Sequence, residues 1–206
     1  MAGPGSIIDM GSTPWDYQSV KAGLLAHEHV FSSLPTSPHR IHSTQLRNVL
    51  ASLQLHPVLE AILHLLNVDL PAAHFLCRHM EAWPAEESMF VHGILHRIEG
   101  DYNNTRAWYG DVEEADCFKA VWEGKHNALK FISEVEKWRK GGQAKDEEEK
   151  RLRERSLQEL VKVLEFCEEK YGCRQVASAT AVWVPKKKTA EQAAAMITGG
   201  EGWREF

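Results

Sequence analysis

Several of the features that would place a chain in a large functional class are missing from this sequence. No apolar run approaches the roughly 20 residues that a membrane-crossing helix needs. The opening stretch MAGPGSIIDMGSTPWDY has no basic segment followed by an apolar one, as a secretory signal would. Both absences predict an intracellular, cytoplasmic protein with no membrane association. Cys77, Cys117, Cys167 and Cys173 are scattered, without the paired spacing of a zinc knuckle or a disulfide framework, so free thiols in a reducing compartment are expected. Positive charge is also scarce. Lys and Arg number 24 against 29 Asp and Glu, a net charge of −5, and the pI is near 6.1. A nucleic-acid surface draws on clustered Lys and Arg, so no nucleic-acid partner is expected. The one short basic cluster, Lys186 to Lys188 after Pro185, reads as a solvated loop, with a nuclear-import signal as its alternative. HExxH, GxSxG, the Walker loop and a strand-borne GxGxxG are all absent, which removes the common zincin, hydrolase, nucleotide and dinucleotide signatures.

The residues that are present predict an all-α fold in one domain spanning residues 1–206. With 43% hydrophobic residues in 206 the chain can bury a core without a staple. Residues 1–12 read as a loose tail, and Thr13-Pro14 as a helix start for about Trp15 to Phe31. Ser43 caps a second helix carrying Leu46, Val49, Leu50 and Leu53, and His56-Pro57 ends it. Four short helices fill 57–112, punctuated at Asn67 to Asp69, Trp83-Pro84 and Gly100-Asp101. Two long helices follow over 114–171, at about Glu114 to Trp138 and Lys145 to Tyr171. Gly141-Gly142 separates them and Gly172 ends the second, whose dense charge reads as a solvated surface. In the 172–206 extension, Val176 to Val184 reads as extended and Thr189 to Ile197 as a short helix. Apolar area on the long pair predicts either packing within the chain or a homodimer interface.

A shift of 32 residues lays Pro57 to Met80 over Met89 to Val112. Ala61 then falls on Gly93, His64 on His96, Asp69 on Asp101, Leu70 on Tyr102 and Cys77 on Tyr109. The second copy, MFVHGILHRIEGDYNNTRAWYGDV, resembles a tetratricopeptide (TPR) repeat, with Gly93, Gly100, Tyr102 and Tyr109 at its small, turn and aromatic positions. It departs at Thr105, where that pattern has Ala. Two copies do not make a solenoid. The resemblance therefore implies two TPR-like hairpins within a helical domain.

Within the second copy, His92, His96 and Glu99 fall in a sector of about 60°, because each helical residue advances about 100°. Phe90, Ile94 and Ile98 occupy roughly the opposite side. Polar groups turned into a hairpin need partners, and His74, His79 and the Glu60/His64 pair are the nearest in sequence. Three readings stay open. The imidazoles hold each other, Arg97 and nearby carboxylates in a structural network. Alternatively His74, His92, His96 and Glu99 bind a divalent metal, zinc or iron, for which i, i+4 histidines and a carboxylate are suitable ligands. A third reading is a metal-free small-molecule or acid–base site using His92 or His96, with Arg97 holding an anionic group. Asp101 is a helix cap, and Trp83, Trp108 and Tyr109 are either core or pocket wall.

The stretch His74 to Tyr109 also resembles a family of uncharacterised fungal and bacterial proteins sharing a His-xxx-His-Arg-x-Glu-Gly-Asp core. The match falls on His74, His92, His96, Arg97, Glu99, Gly100, Asp101 and Asn104, and the closing GGEGWREF is similar to the fungal members. That resemblance implies a shared site at the hairpin but no substrate. Thr105 and Gly110 stand where small and basic residues are expected, which speaks against an anion site on the helix that carries them. Two functions follow: a histidine-lined pocket for a metal ion or small ligand, or a noncatalytic helical module with an apolar groove for a protein partner.

Overall fold

The computed structural model describes residues 15–26, 41–141 and 147–184. Among these the chain forms nine α-helices and no strand: α1 (Tyr17–Ala26), α2 (Thr44–Ser52), α3 (Pro57–Leu66), α4 (Leu70–Arg78), α5 (Glu86–Glu99), α6 (Tyr102–Asp111), α7 (Asp116–Val121), α8 (Lys125–Lys140) and α9 (Glu147–Tyr171). The all-α expectation is met. None of these helices is long and apolar enough to cross a membrane. The expected cap at Thr13-Pro14, the Lys186 to Lys188 cluster, the 189–197 helix and the closing GGEGWREF lie outside the described residues, as does the predicted first helix beyond Ala26.

Caps fix the helix starts. Ser43 Oγ accepts from Leu46 N at 3.3 Å, and Pro57 occupies the first turn of α3 behind His56, whose Nδ1 accepts from Val58 N at 3.4 Å. Asp69 and Asp101 cap α4 and α6 through Ala72 N and Asn104 N, at 3.4 and 3.0 Å.

The 32-residue repeat is built into the backbone. α3 with α4, and α5 with α6, form two hairpins, and in each turn the aspartate N–H donates to the histidine carbonyl five residues back: Asp69 to His64 and Asp101 to His96, both at 2.8 Å. The residue before each aspartate is left-handed, Val68 at φ 57° and Gly100 at φ 89°. A β-branched residue is strained there, and glycine is not. A Cβ at Gly100 would also fall 1.3 Å from Arg139 Nη1, so that guanidinium would have to swing aside. Gly93 serves the same hairpin differently. Its missing Cβ would meet Tyr109 Cδ1 at 2.8 Å and Trp108 Cβ at 3.0 Å, so glycine allows α6 to lie close against α5.

Helix α5 is the centre of the molecule, packed by α3, α4, α6, α7 and α9. Phe90, Val91, Ile94, Leu95 and Ile98 are fully buried on it, each stabilising the fold by about 1.5–3 kcal/mol. The predicted inward residues Phe118, Val121, Trp122, Ile132 and Val135 are also buried, with Leu129 half-buried.

Three expectations are corrected. The predicted helix over 114–138 is two helices, α7 and α8, because Gly124 adopts φ 101° and Trp122 is already extended. The charged face of α9 is not wholly solvated: Glu159 is completely buried and Glu149 nearly so. The 176–184 segment, read as extended, is a strap interrupted by one 3-10 turn at Ala179–Val182, with Ser178 and Trp183 extended on either side. Val176 N donates to Gln54 O at 2.8 Å, Val184 N donates to His79 O at 2.9 Å, and Val184 forms an isolated parallel bridge with Met80.

Candidate functional site

Helices α4 and α5 bring His74, His92 and His96 together, with one ligand atom from each within 4.8 Å of the others. The rings of His92 and His96 stack at 4.8 Å and 20°, one helical turn apart. His74 meets both edge-on, with ring centroids 4.8 and 5.5 Å away. Trp108 from α6 stacks on the other side of His92 at 4.8 Å, so it is a wall of this cluster. His92 and His96 are 1% and 3% exposed, and His74 is half-buried.

Two carboxylates flank the rings. Glu81 Oε1 lies 3.3 Å from His92 Nδ1, and Glu99 Oε2 lies 3.1 Å from His96 Nδ1. Each carboxylate oxygen lies in ion-pair range of an Nδ1, without hydrogen-bond geometry at His96. His96 Nε2 is buried, and among the described residues nothing hydrogen-bonds it. Burial pushes His74 down to about 4; Glu99 and Glu81 act in the opposite direction, while His96 and Arg78 add to the fall. This imidazole is therefore neutral at neutral pH.

Glu81 is absent from the residues that the sequence singles out. It lies in the turn between α4 and α5, where no periodicity marks a residue as inward. Its one signal is closeness in sequence to a histidine-bearing helix.

Arg97 is not in the cluster. Although adjacent to His96, it leaves α5 about 100° away and is completely buried toward α9. There it donates to Ser156 Oγ at 2.9 Å and Glu159 Oε2 at 2.5 Å, and it lies 5.1 Å over the Phe131 ring. The other oxygen of Glu159 accepts from Tyr109 Oη at 2.6 Å and Trp122 Nε1 at 2.8 Å. Arg97 thus closes a core network instead of facing a ligand.

The neighbouring candidates have other partners. His64 pairs with Glu60 at 3.6 Å and Asp69 at 3.5 Å, and Asp69 is held by Arg47 at 2.6 and 2.8 Å. His79 stacks on Trp183 at 4.0 Å. Asn104 bonds its own cap, Asp101. Trp83 is 76% exposed and Phe75 57%, so Trp83 is not core. All four cysteines are free, and burial raises the Cys77 thiol to about 12.

Fold and site together define an all-α protein with a buried three-histidine cluster on its central hairpin. Compared with protein families, curated proteins and solved structures, the chain matches none of them.

Proposed function

We propose that His74, His92 and His96 bind a divalent metal ion, zinc or iron, with Glu81 and Glu99 as the carboxylates that orient two of the imidazoles. The observation carrying this reading is the convergence of three imidazole nitrogens within 4.8 Å. Zinc bonds of about 2.0–2.1 Å place tetrahedral nitrogens roughly 3.4 Å apart, so modest ring rotations close the site. Three protein ligands also leave a coordination position open, as at catalytic rather than structural zinc sites. The rings touch one another, which favours an ion over an organic ligand between them.

The first hairpin supplies a contrast. Glu60 and His64 occupy the positions of His92 and His96, and there a carboxylate faces the imidazole directly. A hairpin of this shape is thus made without paired imidazoles, and the second pair calls for another explanation. The carboxylate-backed imidazole is the usual outer arrangement of a metal ligand.

The test is elemental analysis of tag-free protein purified without chelators, beside the His92→Gln/His96→Gln double variant. Near-stoichiometric metal in the parent and none in the variant is expected. Zinc at a hundred times its Kd should raise parent stability by about 2.7 kcal/mol and leave the variant unchanged. A parent that neither retains nor takes up zinc or iron would end the proposal. A second reading, a noncatalytic TPR-like helical module for a protein partner, is supported by the exposed rings of Phe75 and Trp83 and would then take precedence.

A further inference from the structure

The turn that carries Glu81 is gripped from outside by the strap. Val184 N donates to His79 O at 2.9 Å and Val184 bridges to Met80, while the Trp183 ring stacks on His79 at 4.0 Å and 28°. His79 is the C-cap of α4, and Met80 behind it is buried. Glu81 comes next in the chain, with 9% of its side chain exposed and Oε1 3.3 Å from His92 Nδ1. Three consecutive residues therefore join the strap's contacts to the cluster, and a shift of about 1 Å at Met80 is enough to take the carboxylate out of ion-pair range of the ring. The strap itself is lightly attached. None of residues 176–184 is buried. Trp183 Nε1 is enclosed without a hydrogen bond among the described residues, so the indole is held by its stack and by apolar packing. A segment with so little buried surface opens at a low free energy.

We propose that the strap and the three-histidine site are coupled through Glu81: docked Trp183 and Val184 keep the carboxylate against His92, and a divalent ion on the imidazoles in turn holds the strap down. This rests on the metal-site reading above and assigns that site its regulation. With the strap open, His92 loses its outer carboxylate, a change that weakens metal binding by about 10–100-fold where it has been made at comparable sites. Coupling of this kind is reciprocal, so the ion favours the docked strap by the same factor. Trp183 acts through His79 and Glu81, which makes it a positioning residue and not a ligand.

The experiment measures zinc affinity of the full chain by chelator competition for the parent, Trp183→Ala, Trp183→Phe, Glu81→Gln and the Trp183→Ala/Glu81→Gln double variant. Trp183→Ala should weaken zinc binding by about tenfold. Trp183→Phe keeps a ring on His79 and should bind as the parent does. In the Glu81→Gln background the loss of Trp183 should add nothing, because the two act in series. Hydrogen exchange gives a readout that needs no strap variant: zinc should slow exchange of the Val184 amide by about tenfold in the parent and leave it unchanged in Glu81→Gln. Parent-like zinc affinity in Trp183→Ala, an equal loss in both backgrounds, or Val184 exchange indifferent to zinc would each overturn the coupling and leave the site standing. A parent that binds no zinc would overturn both.

Discussion

Replacing Glu159 with leucine removes the carboxylate that the buried Arg97 guanidinium meets at 2.5 Å, together with the acceptor of Tyr109 Oη and Trp122 Nε1. Both ends of the pair have no exposed side-chain surface, so water cannot take the place of the lost partner. Stranding a buried charge costs about 3–5 kcal/mol, and each orphaned donor adds about 1–3 kcal/mol. The single variant should therefore lose about 5 kcal/mol or more. For a chain of this size that corresponds to a fall in Tm of roughly 10–20 °C. Urea denaturation followed by tryptophan fluorescence gives the value, provided that m is unchanged. The double variant Arg97→Met/Glu159→Leu removes both charges and should recover the part of the loss due to the charge, about 3–5 kcal/mol, while Tyr109 and Trp122 stay without the Glu159 acceptor. It should also bind zinc as the parent does, because Arg97 faces α9 and not the histidines. A single-variant loss below about 1 kcal/mol would refute the argument, and so would a double variant no better than the single one.

Gly93→Ala should destabilise the protein by about 1–3 kcal/mol, since its Cβ would lie 2.8 Å from Tyr109 Cδ1 and α6 would have to shift; an unchanged urea midpoint would contradict this. Stability should also fall in acid through His56, stacked on Tyr171 at 3.8 Å. Burial holds His56 down at about 4 in the fold, against an ordinary value of 6.5, with Glu87 opposing and Lys170 reinforcing the effect. The unfolded chain therefore binds the extra proton first. The contribution is fully present above pH 6.5 and is lost as pH falls toward 4, to a limit of about 3 kcal/mol. His56→Asn keeps a helix-capping side chain and should flatten that part of the stability–pH curve.

Much of the fold was legible because local chemistry marks it. Ser43, Pro57, Asp69 and Asp101 are helix starts by side-chain chemistry, and the 32-residue shift aligned two turns that have the same backbone hydrogen bond. Gly124 was harder to read. The residues on both sides keep a helical apolar spacing, and only the backbone reveals the φ of 101° that separates α7 from α8. The shared face of His92, His96 and Glu99 followed from α5 alone, and His74 from its place one helix earlier. Arg97 misled because adjacency in sequence is about 100° around a helix. Its partner Glu159 was hidden among the charges of α9, where nothing in the spacing distinguishes a buried carboxylate from a solvated one. Glu81 was invisible for another reason: turn residues have no periodicity, and its position depends on how α4 and α5 pack.

The strap after α9 bears on the order in which the molecule is completed. Its bridge between Val184 and Met80, one residue before Glu81, joins parts of the chain separated by five helices. The hairpins need only local closures, whereas this contact closes a loop of about 100 residues and costs more loop entropy than they do. The expected sequence of events is that the three imidazoles gather as α4 and α5 pack, and that the turn bearing Glu81 is clamped only when the strap docks. A chain cut after Gly172 would keep the nine described helices yet lose the strap's hold on His79 and Met80, next to the turn that carries Glu81, so the segment after α9 would bear on how firmly that turn is held.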